Sequence, residues 1–441
     1  MFKKHILLVG LGILLFSTTG FGQEDQAIPQ GELTLEEILD YSLLNSPLIR
    51  QSLIDQEIGD QEIKSAISGW YPQISASGGA AYNIKLQTQV IGDQLITFGQ
   101  PWNSNLLFQV NQTLFNRDQL FASKTSKYYR EQLEKVTENS RINTIVEVSK
   151  AYYDILLASE QLNVLDENLD RLQKQYQDAV SRYEAGLVDK TDYQRASIAL
   201  ANEKSDRNRV NISFEAKYAY LKQLMGYPDE FDFTVEFNRE KMLSEMLMTD
   251  TEPLVLENRV EYQLMVTQQT LNEIQTSYEK WNYLPELSAN YRYNWLYFNQ
   301  DFSNLYNQSY PTSSVGLTLS LPIFQGGKRM NRVRIANLQV QRGEIDLKNL
   351  TSQIKTEYEF ALANYQSSLF EWEAIRENMQ LAEEVYNIIK LQYDEGIKAY
   401  VDLIVAETDL RTAQINHLNA VYQVLESKLD LKKALGLIEY N

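Results

Sequence analysis

The 441-residue chain contains no cysteine, and His5 and His417 are its only histidines. The first absence excludes disulfides, thiolate metal sites, thiol catalysis and a lipidated N-terminal cysteine. The second leaves little from which to build a hydrolytic triad or a zinc centre, because histidine is the commonest general base and metal ligand. Basic charge is also in short supply. Against 59 Asp and Glu stand 41 Lys and Arg, a formal net charge of −18, with none of the basic clusters that neutralise phosphates. No nucleic-acid partner is expected. No constellation of nucleophile, base and orienting group is present, so no catalytic, cofactor-binding or metal-ligating residue is assigned. Two near-fits fail. Gly10-Leu11-Gly12 lacks the third glycine of a dinucleotide fingerprint, and Gly327-Lys328 has Pro322 where a phosphate loop needs its first glycine and Arg329 in place of Ser or Thr. His417, between Asn416 and Leu418, reads as a surface or packing residue.

Long apolar runs are missing as well: no stretch reaches the roughly 20 residues that a spanning helix requires. What stands at the N-terminus is shorter. Lys3, Lys4 and His5 precede an apolar run from Ile6 to Phe16, followed by small residues up to Gly20 and Gly22. This pattern is that of a secretory signal peptide over residues 1–22, with cleavage expected after Gly22. Its removal would leave 39 basic against 59 acidic residues.

The remainder repeats itself with a period near 210. Trp70-Tyr71-Pro72-Gln73-Ile74-Ser75-Ala76 returns as Tyr283-Leu284-Pro285-Glu286-Leu287-Ser288-Ala289, and Arg182-Tyr183-Glu184-Ala185-Gly186-Leu187 returns as Gln392-Tyr393-Asp394-Glu395-Gly396-Ile397. Leu224-Met225-Gly226 is echoed by Ala434-Leu435-Gly436. One structural unit is used twice, over residues 23–226 and 258–437, joined by an acidic belt at 227–257 and closed by a tail at 438–441. Each unit is expected to order helix, strand, strand, long helix and return helix.

The strands are placed at about 73–84 and 104–115, and again at about 285–298 and 312–324. In the third of these, Leu287, Ala289, Tyr291, Tyr293, Trp295 and Tyr297 alternate with Glu286, Ser288, Asn290, Arg292 and Asn294. In the fourth, Val315, Leu317, Leu319, Leu321 and Ile323 alternate with Ser314, Gly316, Thr318 and Ser320. Segments of about 10 to 12 residues suit a tilted strand that crosses a bilayer, whereas a soluble sandwich usually has shorter ones. The aromatic end of the third strand and the signal peptide favour lipid.

Long helices fill the rest, at about 117–185 with a return helix at about 192–226, and at about 328–395 with a return helix at about 400–436. Ala151, Ile155, Ala158, Leu162, Leu165, Leu169, Leu172, Tyr176, Ala179 and Tyr183 form a coiled-coil seam, matched in the second unit by a seam from Ile354 to Tyr393. No Pro or Gly interrupts residues 117–184, so this helix would run roughly 100 Å at 1.5 Å per residue. Gly186 and Gly396 are placed as left-handed C-caps, Thr34-x-x-Glu37 as the capping box of the first short helix, and Thr191-x-x-Gln194 as that of the return helix. Four strands cannot close a membrane barrel, for which about eight is the minimum, and open edges are not tolerated in lipid. Chains must therefore share a barrel, and strand arithmetic admits both dimer and trimer.

Taken together, these phrases resemble the TolC-like outer-membrane efflux proteins of Gram-negative bacteria, from Leu33-Thr34-Leu35-Glu36-Glu37 through Leu435-Gly436. The resemblance implies an α+β membrane protein: a homotrimer with a 12-stranded barrel in outer-membrane lipid and a coiled-coil α-barrel crossing the periplasm. It also implies a periplasmic adaptor and an inner-membrane transporter of RND, ABC or MFS type as partners, no cofactor, and passage of substrate without chemical change. The missing lipoprotein cysteine departs from one branch of that family. The resemblance further places a pore gate at the helical tips. Asp192, Tyr393 and Lys398 fall on a polar network that holds the mouth closed, and Asp402 on the first of two acidic ring positions. The second ring position is Val405, so three carboxylates bordered by apolar side chains are expected. Gly186, Leu187, Gly396 and Ile397 fall on the adaptor-contacting tips. From the residues alone, Asp192 is equally an acid favoured by a helix N-terminus, Lys398 a solvated charge and Tyr393 a seam residue. The competing reading of the whole chain is a non-conducting periplasmic coiled-coil scaffold or adaptor.

Overall fold

The computed structural model describes residues 28–236, 242, 246–248 and 253–439. The signal peptide, part of the 227–257 belt and the last two residues lie outside the described residues. In chain order, β1 (Gly31–Leu33), α1 (Leu35–Asn45) and α2 (Pro47–Ile67) lead to β2 (Gln73–Tyr82), β3 (Gln87–Ile91), β4 (Gln94–Phe98) and β5 (Trp102–Phe115). The long α3 (Arg117–Glu184) turns back as α4 (Lys190–Met225), followed by β6 (Phe233–Val235). The second unit consists of α5 (Val260–Trp281), β7 (Glu286–Asn299), β8 (Ser309–Ser320), α6 (Lys328–Asp394) and α7 (Tyr400–Leu435).

The capping box at Thr34 is present. Thr34 Oγ1 accepts from the Glu37 amide at 3.2 Å, and Glu37 Oε2 accepts from the Thr34 amide at 2.9 Å, which also holds the Glu37 carboxyl below its ordinary value. α3 starts at the Asn116 cap, whose side-chain oxygen accepts from the Asp118 amide at 2.6 Å, and runs without Pro or Gly until just before Gly186, and its seam residues Ala151, Ile155, Ala158, Leu165, Leu172 and Ala179 are buried. The main core gathers at mid-height, where Val148, Ile155, Leu221, Met225, Val424 and Leu431 of α3, α4 and α7 pack with Ile38 of α1. His417, on α7, is buried and not a surface residue. The parallel pair β1–β6 ties the N-terminal segment to the belt.

Two helix ends rest on glycine for a steric reason. Gly226 and Gly436 end α4 and α7 with φ of 69° and 72°. A Cβ on Gly226 would lie 2.4 Å from the Asn45 carbonyl oxygen, and one on Gly436 would lie 2.7 Å from that of Asn258. At Gly186 and Gly396, φ is also positive but a Cβ would meet open space. Alanine at any of these positions costs about 1 kcal/mol from the backbone conformation alone. Gly226→Ala and Gly436→Ala should therefore lower the thermal midpoint further than Gly186→Ala, and equal losses at all three would show that the close approaches carry no energy.

The sheet has the order β2-β5-β7-β8, antiparallel throughout, so the strand pairs of the two units are joined through β5 and β7. β2 and β8 are edges with no partner among the described residues. The register sorts side chains into two faces. Ile74, Val110, Tyr291 and Val315 form one row across the four strands, and Ala76, Phe108 and Tyr293 the next. The opposite face carries Gln73, Asn111, Asn290 and Gly316, then Ser75, Gln109, Arg292 and Ser314. The apolar face is uncovered: Ile74 is 73% exposed, Val315 82% and Leu317 72%. Aromatic clusters flank it at both ends. Tyr82, Trp102 and Phe302 cluster in tilted contacts at the outer end, and Trp281 and Tyr283 lie at the helix end under Lys124 and Arg329. An uncovered apolar band between two aromatic girdles is the surface of a strand set in lipid.

Two expectations need correction here. The last strand, placed at about 312–324, is Ser309–Ser320; Pro322 has no amide hydrogen to donate to a ladder, so pairing stops before it. The connection between the first two strands also holds a hairpin of its own, β3–β4, turning at Gly92 (φ 65°) and Asp93. The Gly-Asp pair between short alternating runs is a hairpin signal.

Candidate functional site

The two helical hairpins end in turns of the same construction. After α3, Gly186 adopts φ 73° and its amide donates to the Tyr183 carbonyl at 2.9 Å, while the Leu187 amide donates to that of Arg182 at 2.9 Å. After α6, Gly396 has φ 75°, its amide donates to Tyr393 at 2.9 Å, and the Ile397 amide donates to Gln392 at 2.8 Å. This pair of bonds is the Schellman closure, which normally tucks the residue after the glycine against its own helix. Here that residue points away: Leu187 is 75% exposed and Ile397 is 74% exposed.

The return helices start in equivalent fashion. α4 is capped by Asp189 in extended conformation, so Thr191 lies inside the helix and does not cap it, contrary to the expected capping box, and Asp192 is its third residue. The chain leaves the glycine turn already extended at Asp189, and the Asp192 amide donates to the Asp189 carbonyl at 3.2 Å. In α7 the cap is Ala399, and Asp402 is again the third residue. Asp402 has a local task, its Oδ2 accepting from the Ala399 amide at 3.2 Å. The Asp192 carboxylate has no hydrogen-bond partner among the described residues.

Asp192, Tyr393 and Lys398 come together, lining one cleft of about 330 Å³ between the two tips, with Arg182, Arg195 and Tyr400. Asp192 and Lys398 make no ion pair with a described residue. Arg182 lies over the Tyr393 ring at 5.4 Å and pairs with Asp178 at 3.0 Å. Burial pushes the Tyr393 hydroxyl up, opposed by Arg182 and reinforced by Asp178, Asp192 and Asp394. Burial also raises Tyr400, with Glu407, Tyr393 and Asp192 adding. Asp402 and Val405 stand outside this cleft on the first turns of α7, the former half-buried and the latter 54% exposed.

Above the tips lies a polar network that sequence reasoning missed. Glu407 accepts from Arg171 at 3.1 Å and Gln175 at 2.8 Å, and Glu203 pairs with Arg411 at 2.6 Å, both carboxylates being buried. The signal was there: Glu203 continues the stripe Ala196, Leu200, and Glu407 sits between Leu403 and Leu410. Burial raises the Glu407 carboxyl above its ordinary value, opposed by the Gln175 and Arg171 hydrogen bonds. Between the ordinary and the raised value, the folded state keeps a proton that the unfolded chain has lost. This contribution to stability is therefore full at low pH and declines as pH rises through that window. Glu407→Gln should flatten the fall of the thermal midpoint as pH rises above the ordinary carboxyl value. An unchanged slope would rule the site out as its source.

The outer membrane efflux protein family matches residues 38–227 and 275–437, which takes in the sheet, both hairpins and the tip cleft. The chain is 21% identical over 415 residues to outer membrane protein TolC of Vibrio cholerae, covering 92% of this chain and 91% of that one. The fold is that of the CmeC outer membrane channel of Campylobacter jejuni, with a TM-score of 0.74 and 18% identity over 91% of this chain and 85% of that one. It is equally that of the open-state MtrE outer membrane channel of Neisseria gonorrhoeae, with a TM-score of 0.72 and 17% identity over 94% and 93%. With both repeats matched in order and the lipid-facing sheet between them, the chain belongs to the outer membrane efflux protein family, whose members are transport ducts of the Gram-negative outer membrane and not enzymes.

Proposed function

We propose that three copies of the chain close one barrel in the outer membrane and continue it as a helical tunnel through the periplasm, forming the exit duct of a tripartite efflux or secretion assembly. The observation that carries this reading is the four-stranded sheet, apolar on one face, polar on the other and open at β2 and β8. Edge groups in lipid must be paired, and β8 of one copy against β2 of the next pairs them all. α6 supports the same assembly. Its seam faces its own chain, yet Phe360, Phe370, Leu381, Val385 and Ile388 remain more than half exposed, an apolar surface for a neighbouring copy.

At the periplasmic end, Asp192 and Lys398, unpaired in the single chain but lining one cleft with Tyr393, pair when the assembled mouth closes and hold it narrow. Three copies of Asp402 supply a carboxylate ring bordered by Val405, which favours cations. Leu187 and Ile397, with the glycines that present them, form the docking points for a periplasmic adaptor, which couples the duct to an inner-membrane transporter and releases the latch. Purified protein should migrate as a trimer that separates on heating and should pass a small, cation-favouring current in planar bilayers. Inserted trimers that never conduct would move the periplasmic scaffold reading to the front.

A further inference from the structure

The polar face of the sheet is built almost entirely without charge. Across β2, β5, β7 and β8 only two charged residues occur: Glu286, the first residue of β7, and Arg292, halfway along it. Arg292 lies in register between Gln109 and Ser314, with Ser75 beyond, and the rows on either side contribute Asn290 and Asn294. It is exposed. No described residue offers it a carboxylate or any other hydrogen-bonding partner, so its donors are free for a solute. Its neighbours along the strand, Tyr291 and Tyr293, belong to the apolar face, so alternation puts the guanidinium on the side away from lipid.

We propose that Arg292 is an oxyanion site in the barrel lumen, one guanidinium per chain, which binds carboxylate- or phosphate-bearing solutes in transit and favours anions at mid-barrel. The proposal rests on the duct reading above. A guanidinium is permanently charged and presents a planar fork of donors that matches both oxygens of a carboxylate or phosphate. The surrounding amides and hydroxyls add neutral donors and no competing negative charge. Symmetry multiplies the site into a basic ring, in series with the acidic ring at the tips. The duct then carries two filters of opposite sign, and a solute that bears both charges meets a complementary group at each.

Because the chain has no cysteine, Arg292→Cys introduces the sole thiol. In planar bilayers, this variant should raise the cation-to-anion permeability ratio of the channel by about fivefold. Treatment with a membrane-impermeant cationic methanethiosulfonate should restore the wild-type ratio, and the anionic reagent should raise it further. Inorganic pyrophosphate should block the wild-type current transiently and leave the Arg292→Cys current unaffected. Tyr291→Cys, on the lipid face, should not react with either reagent. A labelled Arg292→Cys channel with an unchanged ratio would overturn the proposal and leave the duct standing. Labelling of Tyr291→Cys in place of Arg292→Cys would overturn it by reversing the faces, and labelled trimers that pass no current would overturn the duct reading together with it.

Discussion

Val315→Arg should abolish the appearance of heat-separable trimers in the outer membrane, whereas Ser314→Arg, one residue earlier, should leave them at wild-type abundance. Both positions are exposed at mid-strand in β8; they differ only in face. Val315 lies opposite Tyr291 in the apolar row and Ser314 opposite Arg292 in the polar one. An arginine facing lipid at mid-depth costs about 2–4 kcal/mol, so three copies cost about 6–12 kcal/mol per barrel. That is comparable to the roughly 5–15 kcal/mol that separates a folded protein from its unfolded state. The same side chain facing a water-filled lumen keeps its hydration. Trimer loss at Ser314→Arg alone would invert the two faces, and tolerance of both would remove the sheet from lipid altogether.

Asp192→Ala/Lys398→Ala should convert the small resting conductance into a large one. The two side chains line one cleft between the hairpin tips, beyond the buried links that Glu407 makes with Arg171 and Gln175 and Glu203 with Arg411. An ion pair near the surface contributes about 0.2–1 kcal/mol, so three equivalent links in one ring contribute about 0.6–3 kcal/mol. Removing them shifts the ratio of open to closed mouths by about 3- to 150-fold. Single-channel recording distinguishes this population change from a widened pore, since the first alters open time and the second unit current. Lys398→Ala alone should give much of the effect, because an unpaired Asp192 holds nothing. Equal conductance in wild type and double variant would leave the duct intact and sink the latch.

The extent to which residues announced this architecture follows from the range of the interactions concerned. The seams of α3 and α6 and the Thr34 capping box were legible because the contacts that select them lie within one or two turns. The apolar face of β7 was legible because alternation is a local pattern. What was not legible depends on partners distant in sequence. β1 and β6 pair across about 200 residues, and three-residue strands have no periodicity to read. The joining of β5 to β7, which fuses the two units into one sheet, is likewise a contact between halves. At the tips, the positions of Asp192 and Asp402 followed from the repeat. That Asp402 is engaged with its own helix cap and Asp192 is not required the backbone of the two turns. The buried pair Glu203 and Glu407 interrupts apolar stripes, and only the facing arginines on other helices explain why burial is tolerated.

The helix lengths have a consequence of their own. α3 and α6 contain 68 and 67 residues, and α4 and α7 contain 36 each. Nothing in the packing of one hairpin demands that the other match it, yet the two tips must arrive level for their turns to share a cleft. The chain is thus a ruler with two arms. Removing one heptad from a single arm would stagger the tips by about 10 Å. The reach of such a protein can therefore be retuned to a different span only by concerted insertions or deletions in both duplicated halves, in whole heptads that keep each seam in phase.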